Sequence, residues 1–412
     1  RDIARRGVEH DVGGAYGLTR LGSKQPRWYR SPALGVRHET VGADRHTAGM
    51  THLLMIGTGK GLFLATSDDD RRSWRISGPP TFPMTGIYAV AIDQRQDPPR
   101  LWASMTASHF GPSLASSDDL GITWYEPDQP PVAFPTDTGE ALRRVWSIAL
   151  AGAAEPDRLY VGTEPSALFQ SDDGGVTFTL VRSLWDHPHR PEWGEGFGGQ
   201  AIHTVLPHPR DPAAILVAMS TGGVYQTTNG GSMWTANNTG IKAYFMPDPW
   251  PEFGQCVHKV ARDAVNPDRL YAQNHHGVYR SDDGGVIWKS IADGLPTDFG
   301  FAIVAHPHRA DTIWSFPVTA DGERFPPDAR CRVFRSTDAG ATWEALGTGL
   351  PEHPYYGVVL RNALCTDDDA VDAGVYFGTR NGDVYASPDE GDTWTLIASG
   401  LPDVLCLRAA SL

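Results

Sequence analysis

An eight-residue motif, Ser/Thr-x-Asp-x-Gly-x-Thr-Trp, recurs seven times in this chain, and no other feature limits its fold as strongly. The copies begin at Ser67, Ser117, Ser171, Thr227, Ser281, Ser336 and Ser387, so successive starts lie 50 to 56 residues apart. Internal repeats of about that period signal solenoids, propellers or arrays. Some copies depart from the pattern. Arg71 stands in the Gly position of the first, Phe178 in the Trp position of the third and Asn229 in the Asp position of the fourth.

Each copy lies between short apolar runs such as Gly277-Val278-Tyr279-Arg280, which places it on a hairpin turn. The Asp side chain can accept bonds from backbone N–H groups of the turn. The Gly supplies a positive φ at little steric cost, and the Trp offers a large apolar face to a neighbouring sheet. One active site does not need seven copies of its acid. The motif aspartates therefore read as punctuation of the fold rather than as catalysts or metal ligands.

Upstream of each later copy lies an alternating run expected to form an innermost strand. These runs are 88–92, 146–150, 203–206, 258–261, 301–304 and 357–360. Two middle strands and an outer strand complete each unit, and four strands at this period make a propeller blade. The expected fold is all-β, a seven-bladed β-propeller with four-stranded blades. The first copy has only two strands before it, at 52–57 and 61–66, and the last repeat is followed by a surplus strand at 404–407. Lending that C-terminal strand to the first blade closes the ring and removes free sheet edges. The propeller is thus expected over 50–412. Residues 1–49 lack the motif and read as an N-terminal extension, disordered or arising from a mis-set start, with Met50 as the natural first residue.

The motif resembles the Asp-box of bacterial neuraminidases, a repeat also used by sortilin-type receptors, xyloglucanases and a photosystem II assembly factor. It identifies a style of propeller and not an activity. A broader resemblance covers nearly all of 50–412. Gly162-Thr-Glu-Pro, Leu184-Trp-Asp-His-Pro-His-Arg-Pro-Glu-Trp193, Gly254-Gln-Cys-Val-His-Lys259, Gln273-Asn-His275 and Asp298-Phe-Gly300 are similar to a bacterial family of BNR/YVTN-like repeat proteins, labelled sialidase-like or glycosyl-hydrolase-like. A true sialidase resemblance implies three Arg for a substrate carboxylate, a Tyr–Glu nucleophile pair and an Asp acid. Tyr29-Arg30-Ser31-Pro32 looks similar to the sialidase Phe/Tyr-Arg-Ile-Pro motif, but it precedes the ring. Sialidases also have six blades, whereas seven are expected here. Sortilin-type receptors carry a Cys-rich module after the propeller, and xyloglucanases pair two propellers around a cleft; neither pattern is present here.

Charge and cysteine usage narrow the function classes. The formal charge of −14 argues against a broad nucleic-acid or anionic-membrane surface. The four cysteines are widely spaced with no CxxC pair, which argues against a structural zinc site or a disulfide framework. No run of apolar residues has transmembrane length, and no basic-then-apolar leader opens the chain. The expected location is the cytoplasm.

Propeller ligands gather at the mouth of the central channel, where the inner strands begin. Trp146, His203 and His258 stand 25, 24 and 23 residues before their motifs, so the two histidines are expected to face the pore side by side. An insertion at 183–200 brings His187, His189, Glu192 and Trp193 to the same end. A second, at 244–255, brings Phe245, Trp250 and Phe253. Gln273, Asn274, His275 and Asp298 lie on further loops, and Lys259, alternating with His258, is expected to point away from the pore.

Three readings remain open. His187, His189, His203 and His258 bind a divalent transition metal, which imidazole suits. Or His203, His258, Glu192 and Asp298 supply metal-free acid/base chemistry. Substrate contacts would then come from His187, His189, Trp193, Trp146, Lys259, Gln273, Asn274 and His275. Or the histidines merely cap loops. At the level of function, hydrolase-type chemistry on a small or glycan-like substrate stands against a non-catalytic scaffold that binds a protein partner or cofactor.

Overall fold

The computed structural model describes residues 52–68, 71–196 and 199–412. The expectations for 1–49, including Met50 as the start and the Tyr29–Pro32 resemblance, fall outside the described residues. Among those residues, six sheets have four strands and one has three, all antiparallel between neighbours. In the three-stranded blade an isolated bridge between Ser116 and Tyr125 occupies the place of the outer strand. Adjacent inner strands touch all the way round, which closes a seven-bladed β-propeller.

Ring closure follows the expected route. Val404–Ser411 pairs with His52–Thr58, in register from His52 opposite Ser411 to Gly57 opposite Cys406, with a one-residue shift before Thr58 opposite Val404. The first blade is thus built from both ends of the ring. One expected inner strand is displaced. In the seventh blade it is Leu364–Thr366, not 357–360. The apolar run at 357–360 instead travels toward the channel as irregular backbone.

The motif turns explain the recurrence. In the second blade, Ser117 Oγ donates to Asp119 at 2.8 Å and accepts the Gly121 N–H at 2.8 Å. The same Asp119 oxygen accepts the Thr123 N–H at 2.8 Å, and the other oxygen accepts the Thr123 hydroxyl at 2.6 Å. Burial opposes ionisation of Asp119, but these donors outweigh it and hold the carboxyl below its ordinary range. Asp173, Asp338 and Asp389 repeat the clamp. Each of these carboxylates is engaged at both oxygens by its own turn.

The glycine of the motif also answers to packing. Gly175 has φ 86°, and a Cβ there would lie 2.3 Å from the Trp102 ring of the preceding blade. The first copy has Arg71 at this position, with φ 50°. Its guanidinium reaches the seventh blade, where Nε donates to Asp367 at 2.8 Å and a terminal nitrogen meets Asp369 at 3.1 Å. The departure from the repeat is therefore the seam between the last and first blades. No described helix is long and apolar enough to cross a membrane.

Candidate functional site

The inner strands of three successive blades carry a β-bulge at one register. The bulges lie between Val145 and Ser147, Ile202 and Thr204, and Val257 and Lys259. The extra residues are Trp146, His203 and His258. A bulge bends its strand and re-aims a side chain. Here that side chain reaches a neighbouring strand: Trp146 Nε1 donates to Glu164 at 2.9 Å. His203 Nε2 lies 2.7 Å from Val257 O, and His258 Nδ1 lies 2.6 Å from Gly300 O. Both histidines thus knit one blade to the next.

The segment displaced from the seventh blade crosses the channel. Asn362 pairs in parallel with Cys406. Its amide donates to Trp146 O at 3.3 Å and its carbonyl accepts Lys259 Nζ at 2.5 Å. Arg361 Nε donates to His258 O at 3.2 Å. Two side chains therefore bridge strands on different sides of the pore. They divide it into an upper cavity of about 810 Å³ and a lower one of about 490 Å³, and Trp146 and Asn362 line both.

The upper cavity is walled by aromatics and ion pairs. Tyr88 and Trp146 lie 5.4 Å apart between ring centroids, with the Arg144 guanidinium 5.0 Å from the Tyr88 ring. Arg144 pairs with Glu164 at 2.9 Å, Arg324 with Asp321 at 2.8 Å and Arg380 with Asp403 at 3.2 Å. Arg361 differs. It sits 5.2 Å from the Trp146 ring and has no carboxylate partner among the described residues. Burial, then repulsion from Arg324, pulls it down to about 10, against the pull of Cys256 in the other direction. It remains a cation at neutral pH.

Of the residues singled out in the sequence, Trp146, Phe245, His258 and His275 line this cavity. The expected pairing of His203 with His258 at the pore mouth does not form. His203 is fully buried between blades, with its other nitrogen 3.0 Å from Thr204 Oγ1, and it lines neither cavity. Burial, reinforced by Arg361, drives its pKa well below the ordinary value, so it is a neutral donor. His258 is pushed down to about 3 by burial, then by Arg361.

The four-histidine ligand set does not assemble either. His187 and His189 pack against Trp193, Tyr225 and Phe253, and His189 Nδ1 lies 3.0 Å from Tyr225 Oη. These rings complete the apolar core beside the fourth blade, and Trp193 is part of that core. Glu192 and Asp298 are exposed and line neither cavity. Gln273 and Asn274 are buried and spend their amides on backbone carbonyls of Asp298 and Lys242. From the long insertion it is Glu195, with Gly196 and Gly199, that reaches the cavity.

Lys259 is a correction of the opposite kind. It points into the lower channel because the bulge at His258 shifts the alternation by one residue. Burial, then Arg408 and Arg361, pull its ammonium down to about 8. The folded chain loses this proton before the unfolded chain does. Stability therefore rises with pH between about 8 and the ordinary value of 10.5, and the full cost is present below that window. Buried Cys365 and Cys406, held up at about 12 and higher, act in the opposite sense. The expected result is that Lys259→Met flattens the rise relative to wild type, as read by urea denaturation at pH 7.5 and pH 10. Parallel curves would contradict the placement.

Arg361 and Asn362 are not singled out in the sequence reading, and Glu164 and Cys256 enter it only within the segments of the family resemblance. Arg361 stands 26 residues before its motif, close to the offset that flags Trp146. Reading 357–360 as a strand hid that signal.

No family model matches the chain. A xyloglucanase of Hypocrea jecorina is 26% identical over 312 residues, spanning 66% of this chain and 34% of that protein. An oligoxyloglucan-reducing end-specific xyloglucanase of Emericella nidulans is 24% identical over 328 residues, spanning 70% of this chain and 38% of that protein. The chain thus spans little more than a third of the length of these relatives. The crystal structure of an ancestral GH74 enzyme superposes with a TM-score of 0.53 at 18% identity, covering 76% of this chain and 38% of that one. That likeness is one of fold. Together the likenesses fit a glycosyl-hydrolase-like propeller.

Proposed function

We propose that the chain is a glycan-directed propeller that holds a small saccharide bearing an acidic group at the channel mouth. The observation that carries this reading is Arg361, a cation on the floor of an aromatic-walled cavity with no carboxylate partner among the described residues. A guanidinium in that setting suits a carboxylate, which it grips through parallel N–H donors. Trp146, Tyr88 and Phe301 supply the apolar faces that sugar rings pack against, and the Arg144–Glu164 pair offers hydrogen-bond partners for hydroxyls. The low-identity likeness to xyloglucanases supports a glycan over other small molecules.

Hydrolysis in this reading falls to Glu164 and Glu195. Glycoside cleavage needs two carboxyl groups about the scissile bond. Glu164 Oε2 is fixed by Arg144 and Trp146. Glu195 lies at the exposed rim. A second reading, a non-catalytic scaffold, is favoured by the exposed aromatics Tyr244, Phe245 and Trp250 on the second insertion. Such a patch can dock a partner.

Calorimetry separates these readings. Uronate-bearing oligosaccharides are expected to bind, neutral xyloglucan oligosaccharides to bind more weakly, and Arg361→Gln to lose at least tenfold in affinity for the acidic ligand with an unchanged melting curve. Reducing-sugar release abolished in Glu195→Gln, with binding retained, identifies the hydrolase. Binding without release identifies the scaffold. Absence of saccharide binding in wild type overturns both the glycan assignment and the role of Arg361.

A further inference from the structure

We propose that Cys256, His258 and His275 form a transition-metal site with an open coordination position facing the upper cavity. The ligand atoms of these three residues all lie within 4.8 Å of one another, and all three residues line the cavity. This set shares only His258 with the four histidines expected from the sequence.

The geometry is close to that of a bound ion. With a metal–sulfur distance of about 2.3 Å and a metal–nitrogen distance of about 2.0–2.1 Å, a tetrahedral angle separates the two ligand atoms by roughly 3.6 Å. Cys256 Sγ and His258 Nε2 are 3.5 Å apart. An S–H···N hydrogen bond has a similar length, and the surroundings distinguish the two. His258 spends Nδ1 on Gly300 O at 2.6 Å, which fixes the tautomer that leaves the Nε2 lone pair toward Cys256. Anchoring of the second imidazole nitrogen by a carbonyl is the usual support of a metal-binding histidine.

His275 supplies the third arm. Its backbone N–H donates to Cys256 O at 2.9 Å, so the two residues are tied to one another by the main chain. The ring is half-buried among Phe245, Phe299 and His258, yet neither ring nitrogen has a hydrogen-bond partner among the described residues. A shift of roughly 1 Å at this ring completes a tetrahedral face. Phe299 and Phe301 close the back of the cluster, and Phe301 stacks on His258 at 5.0 Å.

One thiolate and two neutral imidazoles suit zinc or another late first-row divalent ion. Three protein ligands with a fourth position open to a cavity is the arrangement of a catalytic rather than a structural site. Arg361 and Arg324 lie nearby and oppose a cation. The Cys256 thiolate supplies one compensating charge, and an anionic ligand at the open position would supply another beside Arg361.

The test uses the full chain and no saccharide, so its outcome is independent of the glycan reading. The apo protein is titrated with Co²⁺ alone, and zinc content is measured by elemental analysis after Zn²⁺ reconstitution and desalting. The expected result is close to one equivalent per chain, with a thiolate-to-cobalt charge-transfer band. Cys256→Ser abolishes the band, and His275→Ala weakens binding at least tenfold while the melting curve stays cooperative. The His187→Ala/His189→Ala double variant retains the band. Absence of a band in wild type overturns the proposal, and so does binding that survives Cys256→Ser or is lost in the His187/His189 variant.

Discussion

Asp367→Ala is expected to destabilise the propeller by about 3–5 kcal/mol, the range for breaking a buried ion pair by removal of one partner. The Asp367 side chain has no solvent exposure. It accepts Arg71 Nε at 2.8 Å, the Tyr376 hydroxyl at 2.7 Å and the Gly374 N–H at 2.9 Å. Removing the carboxylate leaves the Arg71 guanidinium with Asp369 alone and deprives the Tyr376 hydroxyl and the Gly374 N–H of their acceptor at the seam where the ring closes. Arg71→Gly restores the residue that the other motif copies have here. In combination with Asp367→Ala it removes both charges, and the double variant is expected to recover part of the loss. Urea denaturation of the single and double variants checks this. Losses that simply add would show that the two residues are not coupled.

The second large effect is expected at Trp288. Its side chain is 2% exposed and packs with Leu216, Val224 and Ile241 of the preceding blade. The indole N–H donates to Asn237 O at 3.0 Å, and the backbone N–H donates to Thr239 O at 2.8 Å. Trp288→Ala opens a cavity between two blades and leaves a carbonyl unpaired, at a cost of about 3–5 kcal/mol. Trp124 provides the contrast. It is only half-buried, and its indole N–H has no partner among the described residues. Trp124→Ala should cost clearly less. Equal losses at the two positions would contradict the view that the motif tryptophan works by bonding to the preceding blade.

The fold was legible because its signal is periodic. Ser117, Asp119, Gly121 and Thr123 form a turn that closes on itself with local hydrogen bonds, so its spacing survives whatever surrounds it. The surplus strand at the C-terminus gave the closure for the same reason. Arg71 was visible as a departure, but its purpose was not, because Asp367 lies almost three hundred residues away in sequence.

The site was legible only in part, and the reason is local geometry. Register alone made His203 and His258 equivalent. Both do bond to the next blade, yet only His258 has its second nitrogen beside Cys256 at the cavity. A bulge at each position re-aims the neighbouring side chain, which is why Lys259 faces the channel against simple alternation. The crossing by Arg361 and Asn362 depends on a run of apolar residues that does not form a strand, and hydropathy cannot distinguish the two cases. In the long insertion, His187 and His189 looked like ligands. Their rings instead pack, half-buried, against Tyr225 and Phe253 at the edge of the core.

The central claim is that ligand enters the upper cavity and meets Arg361. A crystal structure of the chain soaked with a uronate-bearing disaccharide tests it most directly. The expected result is sugar density beside Trp146, with the ligand carboxylate within hydrogen-bond distance of the Arg361 guanidinium. Density elsewhere on the molecule, with the upper cavity holding only water at saturating ligand, would contradict it.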